Sequence, residues 1–175
     1  HRGLATPSEQ AAFLEPDYTT LHAPELLHTM DVAVSRIKAA IAALEPIVIF
    51  SDYDCDGIPG AVVLHDFFVA AAYPHFSNII PHRHYEGFGL SVSAVVTIAK
   101  TGAKLIITID CGTNDDAAIT RAAELGVDVI VTDHHEPGET LPAAVAIVNP
   151  KLGEYPFPHL CGAGVVFKLV QALIN

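Results

Sequence analysis

"VIFSDYDCDG", residues 48–57, is an apolar run that stops at three aspartates, Asp52, Asp54 and Asp56, within five positions. A short segment that is apolar at every position reads as a strand buried on both faces, because a strand with one wet face would alternate. The same pattern recurs downstream. "KLIITI" (104–109) runs into "DCGTND" and "VDVIVT" (127–132) into "DHHEPG", while "NII" (78–80) and "AAVAIV" (143–148) supply two further strands. Amphipathic or apolar stretches fill the intervals: 60–72 with Pro59 in its first turn, 90–102 stopped by Gly102, 115–126 with Asn114 as cap and Gly126 as stop, and 163–174. An earlier helix of about five turns over 23–44, with Leu27, Met30, Val34, Ile37 and Ile41 on one stripe, follows an extended, proline-bearing lead. The alternation predicts an α/β fold, a doubly wound and mainly parallel sheet with helices on both faces, preceded by an N-terminal helical segment. One domain is expected over 1–175, with 1–45 as lead and helix and 46–175 as the α/β core.

Three of these strands deliver Asp, or Asp with His, at their carboxyl ends. In an open parallel sheet those ends share one edge, where the ligand crevice forms at the topological switch point. Carboxylates brought together without cations repel one another, whereas divalent ions use them as hard oxygen ligands. On extended backbone Asp54 and Asp56 face one side as ligands and Cys55 the other. Asp52, two residues nearer the strand, is read as bracing the loop behind them. Asp110, alone at the end of the central strand, is the natural bridge between two ions. The imidazole of His134 tilts the choice from Mg²⁺ towards Mn²⁺, and a binuclear centre of this kind suits phosphoester hydrolysis. Cys55 and Cys111 are read as small buried hydrophobes. His1, His22, His28, His65, His75 and His159 are read as structural or surface residues.

Composition narrows the partners. Of 175 residues 51% are hydrophobic and 17% charged, enough apolar material for one compact core. Nine Lys and Arg against 20 Asp and Glu leave a net charge of −11, so the chain lacks the basic surface to wrap nucleic acid unaided. No uninterrupted apolar stretch reaches membrane-spanning length and the start is not a signal peptide, so a cytoplasmic protein without membrane partners is expected. Three widely spaced cysteines support neither a disulfide framework nor a zinc ribbon. The absence of an initiator Met suggests a fragment.

"DYDCDG", "ITIDCG", "TDHHEPGETLP" and "IVNPK", in this order and spacing, resemble the DHH phosphoesterase superfamily. "PHRHYEGFGLS" and "LCGAGVVFKLVQAL" are similar specifically to RecJ-type single-stranded-DNA exonucleases, as is the lead segment. The resemblance implies hydrolysis of single-stranded DNA from the 5′ end, with Mn²⁺ or Mg²⁺, two ions, held by Asp54, Asp56, Asp110 and His134. It implies Asp133 as an orienting carboxylate and His135 beside the scissile phosphate. Arg83 and His82 then belong to a substrate-facing loop or to a plain exposed connection. Gly162 and Gly164 either bring backbone close to a phosphate or pack a helix on the sheet.

The family pattern also includes a further aspartate downstream, and carboxyl-terminal domains that hold the strand, none of which lies within these 175 residues. The expectation is therefore the metal-binding half of an exonuclease, feeble by itself, its oligomeric state open. Two alternatives stand beside it. Small-substrate DHH phosphoesterases, which act on oligoribonucleotides, cyclic dinucleotides or pyrophosphate, open with a His where this chain has Phe50. A non-catalytic DHH scaffold is disfavoured by the intact Asp and His set.

Overall fold

A computed structural model describes residues 3–15 and 17–175; the reading of His1 falls outside them. Strands β1 (Ile47–Ser51), β2 (Phe76–Ile79), β3 (Leu105–Ile109), β4 (Asp128–Thr132) and β5 (Ala146–Val148) form one sheet in the order β2-β1-β3-β4-β5. Every pairing is parallel. The predicted architecture is therefore observed, and the strand order reverses between β1 and β3, which makes that junction the switch point. β1 and β3 are buried at all five positions, as their unbroken apolar runs require.

Helices α2 (Met30–Ala42), α3 (Gly57–Ala70) and α6 (Gly162–Ile174) pack on one face around Ile47, Ile49, Ile107 and Ile109. Helices α4 (Val92–Lys100) and α5 (Asp116–Glu124) cover the other around Val48, Phe50, Ile106 and Val131. Gly102 and Gly126 adopt the left-handed conformation just beyond α4 and α5, the stops expected of them. At the amino edge of the sheet Arg36 binds Asp128 (2.6 Å) and Glu45 (2.7 Å), tying α2 to β4.

The N-terminal quarter departs from expectation. The lead is not extended throughout: Pro7–Leu14 is a helix, α1, set by a capping box between Thr6 and Glu9 with proline at its first position. The long helix expected over 23–44 begins only at Met30, after a 3₁₀ turn at Pro24–Leu26. Thr29 interrupts it with φ 53°, because its hydroxyl both donates to Ile147 O (3.0 Å) and accepts from Ile147 N (2.9 Å), closing the outer edge of β5. Lys168 on α6 fastens the preceding segment. Its buried Nζ donates to His22 O (2.6 Å) and Gln171 Oε1 (2.9 Å), and burial holds its pKa below the usual lysine value.

Candidate metal centre

Sheet register decides which residues meet. Ser51 lies opposite Ile109, Ile109 opposite Thr132, and Thr132 opposite Val148. The residues one step further, Asp52, Asp110, Asp133 and Asn149, therefore form a row across the carboxyl edge. The ladder continues through them, with Asp52 N donating to Ile109 O, Asp110 N to Thr132 O and Asp133 N to Val148 O. Neighbouring strands are about 4.8 Å apart, so the aspartates stand side by side by construction.

Residues 54–56 are not the extended segment that was expected. The Asp54 Oδ1 accepts from Asp56 N (2.8 Å) and Gly57 N (2.9 Å), folding the chain into a turn that starts α3. These N–H groups hold the Asp54 carboxyl below the usual aspartate range. Alternation along a strand therefore does not decide how Asp54 and Asp56 face. Asp56 reaches instead to the start of α6, its two oxygens accepting from Gly162 N and Ala163 N at 2.8 Å each. Burial pushes its pKa up, but Ala163 N–H, the Cys161 thiol and Gly162 N–H outweigh that and leave it lowered. Cys55, expected to be buried, is exposed at the tip of this turn, whereas Cys111 is buried as expected.

Asp110 occupies the centre. It is 1% exposed and adopts φ 61°, a left-handed conformation uncommon for non-glycine residues. Its Oδ1 lies 3.1 Å from His134 Nε2, and the same nitrogen is 3.4 Å from Asp56 Oδ2. Burial, reinforced by the charges of Asp56, Asp54 and Asp133, pushes the Asp110 carboxyl up to about 8. Asp52 is 3% exposed, and burial raises its pKa as well. One buried oxygen on each of Asp52 and Asp110 accepts no hydrogen bond from the described residues, which is costly unless a cation serves it. Asp52, expected to brace the loop, thus stands among the ligand candidates. Two groups of three donors, Asp52/Asp54/Asp110 and Asp110/His134/His135, each have ligand atoms within 4.8 Å of one another and share Asp110. Hard carboxylate oxygens with imidazole nitrogen fit Mn²⁺ or Mg²⁺.

Asp133 works behind this cluster. Its Oδ1 accepts from His134 N (2.7 Å) and His135 N (3.1 Å) and lies 2.7 Å from His135 Nδ1, while Oδ2 accepts from Thr113 N (3.0 Å). Burial alone would raise its pKa, but the Thr113 and His135 hydrogen bonds bring it below the usual range. A carboxylate only accepts, so His135 Nδ1 carries the proton and Nε2 is left as the acceptor nitrogen. Asn149 supports the same loop by donating to His135 O (2.9 Å) and Thr113 Oγ1 (3.1 Å).

The remaining candidates divide. Arg83 stacks over the Tyr53 ring, 4.5 Å from its centroid, beside the acidic turn. His82 is not brought to the cluster; its ring lies against His84 and Tyr85. Gly162 is used inside the protein: beyond its N–H to Asp56, an added Cβ would sit 2.6–2.8 Å from the Asp110 side chain. Gly164 packs against Leu160, where a Cβ would come within 3.3 Å. Asn114, expected to cap α5, instead donates to Glu136 O (3.0 Å) and accepts from Gly138 N (2.8 Å), and Asp115 holds the N-cap position. The reading from sequence did not single out Tyr53, Phe88, Thr113, Asp115 or Asn149. All five lie in stretches quoted above, but their roles depend on contacts between separate loops, which residue type and spacing do not reveal.

Residues 46–175 match the DHH family, N-terminal domain. The chain is 42% identical over 177 residues to the single-stranded-DNA-specific exonuclease RecJ of Bacillus subtilis, covering 99% of this chain and 22% of the relative. It is 40% identical over 149 residues to that of Escherichia coli, covering 84% and 26%. Among solved structures, an exonuclease RecJ bound to manganese superposes with TM-score 0.77 at 34% identity, covering 87% of this chain and 39% of the other. RecJ from Thermus thermophilus in complex with Mn²⁺ gives 0.74 at 31% identity, covering 91% and 22%. The chain thus spans about a quarter of the length of these curated relatives.

Proposed function

The chain belongs to the DHH family, and on that premise we propose that it is the metal-binding half of a 5′ to 3′ exonuclease acting on single-stranded DNA, in cytoplasmic DNA repair or recombination. The observation that carries this reading is the buried Asp110 Oδ1, which accepts no hydrogen bond although His134 Nε2 lies 3.1 Å away, at the point where two donor groups meet. The residues that would hold two Mn²⁺ or Mg²⁺ ions are Asp52 and Asp54 with Asp110 on one side, and Asp56 and His134 with Asp110 on the other. Such ions supply an activated water and neutralise charge on the phosphoryl group. Asp133 fixes the tautomer and orientation of His135, whose Nε2 is then available to exchange a hydrogen bond or proton with the phosphate. Arg83, on the exposed 82–88 loop, offers a planar cation to the strand's backbone.

Phe50 favours this reading over a small-substrate phosphoesterase. It is 1% exposed and packed in the core beneath α4, so no imidazole enters the site from that position. With a net charge of −11 the chain depends on its ions, and on basic surface elsewhere in the complete enzyme, to hold a polyanion. No helix among the described residues is long and apolar enough to cross a membrane.

The test is incubation of the chain with MnCl₂ and single strands labelled at either end. Slow release of mononucleotides from the 5′ end, abolished by Asp110→Ala, is expected. Release from the 3′ end, preference for pyrophosphate, or no binding of Mn²⁺ contradicts the assignment.

A further inference from the structure

We infer that Asp115 is a positioning residue that holds the 82–90 loop over the metal centre and so sets where Arg83 and Phe88 meet the strand. This rests on the functional reading above and concerns a residue outside the ligand set.

Asp115 stands at the N-cap of α5, where an aspartate ordinarily accepts a hydrogen bond from its own helix; here the side chain makes no capping bond. Its Oδ2 instead accepts from Leu90 N (2.7 Å), 25 residues away. Gly89 adopts φ +81° and lays its α-carbon on the same carboxylate, where an added Cβ would stand 2.8–2.9 Å from both oxygens. The loop is thus seated by one charge-assisted hydrogen bond and one close approach that only glycine permits. Leu90 then enters the core below α4, at 3% exposure, while residues 82–88 remain exposed.

That loop touches the centre on two sides. Arg83 lies over Tyr53, which sits between Asp52 and Asp54, and the Phe88 ring meets His135 edge-on at 5.4 Å. Glu86 Oε2 accepts from His82 N (2.6 Å), which closes the loop on itself and makes its base the hinge of its position. The turn that carries Asp115 also holds Asp133 through Thr113 N and the 136–138 loop through Asn114. One turn therefore keeps the substrate-side loop in register with His135.

The test compares the full chain with Asp115→Ala, Asp115→Asn and Gly89→Ala. Three quantities are read: amide exchange over 82–90, Mn²⁺ affinity by calorimetry, and affinity for a 5′-phosphorylated single strand in MnCl₂. Asp115→Ala and Gly89→Ala should each speed exchange across the loop and weaken strand binding by about tenfold, with Mn²⁺ affinity held within about twofold. Asp115→Asn, which keeps an acceptor oxygen, should recover most of both. Unchanged loop exchange in Asp115→Ala, or Mn²⁺ affinity falling in step with strand affinity, would overturn the proposal. A wild-type chain that binds neither Mn²⁺ nor the strand overturns the functional reading first and the proposal with it.

Discussion

Burial and the charges of Asp56, Asp54 and Asp133 push the Asp110 carboxyl from 3.8 up to about 8, and the sign of the consequence is fixed. Between pH ~4 and ~8 the folded chain keeps a proton that the unfolded chain has released, so stability supplied below pH 4 is lost as pH rises to 8. Asp54, Asp56 and Asp133, whose pKa values are lowered, contribute in the opposite sense and lose stability as pH falls below ~4. Urea midpoints of the metal-free chain should therefore decline from mildly acidic pH to pH ~8, and Asp110→Asn should flatten that decline. Mn²⁺ competes with the same proton, so its affinity should rise by roughly tenfold per pH unit up to about 8, with a proton released on binding. Calorimetry in buffers of different ionisation enthalpy measures that release. At this scale the sequence named Asp54, Asp110, Asp133, His134 and His135 as neighbours because each follows a buried strand. It set Asp52 apart as a brace, because spacing along the chain does not show that Asp52 stands level with Asp110 across the sheet.

Among the elements, α6 is the one whose position the centre most depends on. Its first two N–H groups hold Asp56, and its first residue must be glycine because Asp110 occupies the space of a side chain. Gly162→Ala should displace the helix start or Asp110, lowering stability by about 1–3 kcal/mol and weakening Mn²⁺ binding well beyond that loss; denaturant midpoints and calorimetry separate the two effects. The strands and the helices α3 to α6 were legible from apolar runs and from Gly stops, since core burial and local backbone preference agree there. The start of α2 was not. Helical periodicity continues through Leu27 to Met30, but Thr29 is held out of the helix by β5, a contact 118 residues distant. α1 left a local signal, Thr6 and Glu9 around Pro7, in a lead taken for extended because of its prolines.

The whole molecule has a sharply divided surface. The carboxyl edge of the sheet carries the acidic centre, the amino edge is tied by Arg36, and the outer side of α3 leaves Ile58, Val62 and Val69 exposed. The two faces of α3 should answer differently to substitution. Leu64→Ala, at 0% exposure, should cost about 2–5 kcal/mol, whereas Val62→Glu, at 52% exposure, should stay within about 0.5 kcal/mol in urea unfolding. What this scale adds to the sequence is register: Ser51, Ile109, Thr132 and Val148 being level places the acidic residues in a row, and pairing register is not written in any one strand. The central claim is that this row is a metal centre shared through Asp110. Anomalous diffraction from crystals soaked in MnCl₂ tests it most directly. Peaks flanking Asp110, one beside Asp54 and one beside His134, are predicted; an empty sheet edge, or manganese bound only at other carboxylates, would contradict it.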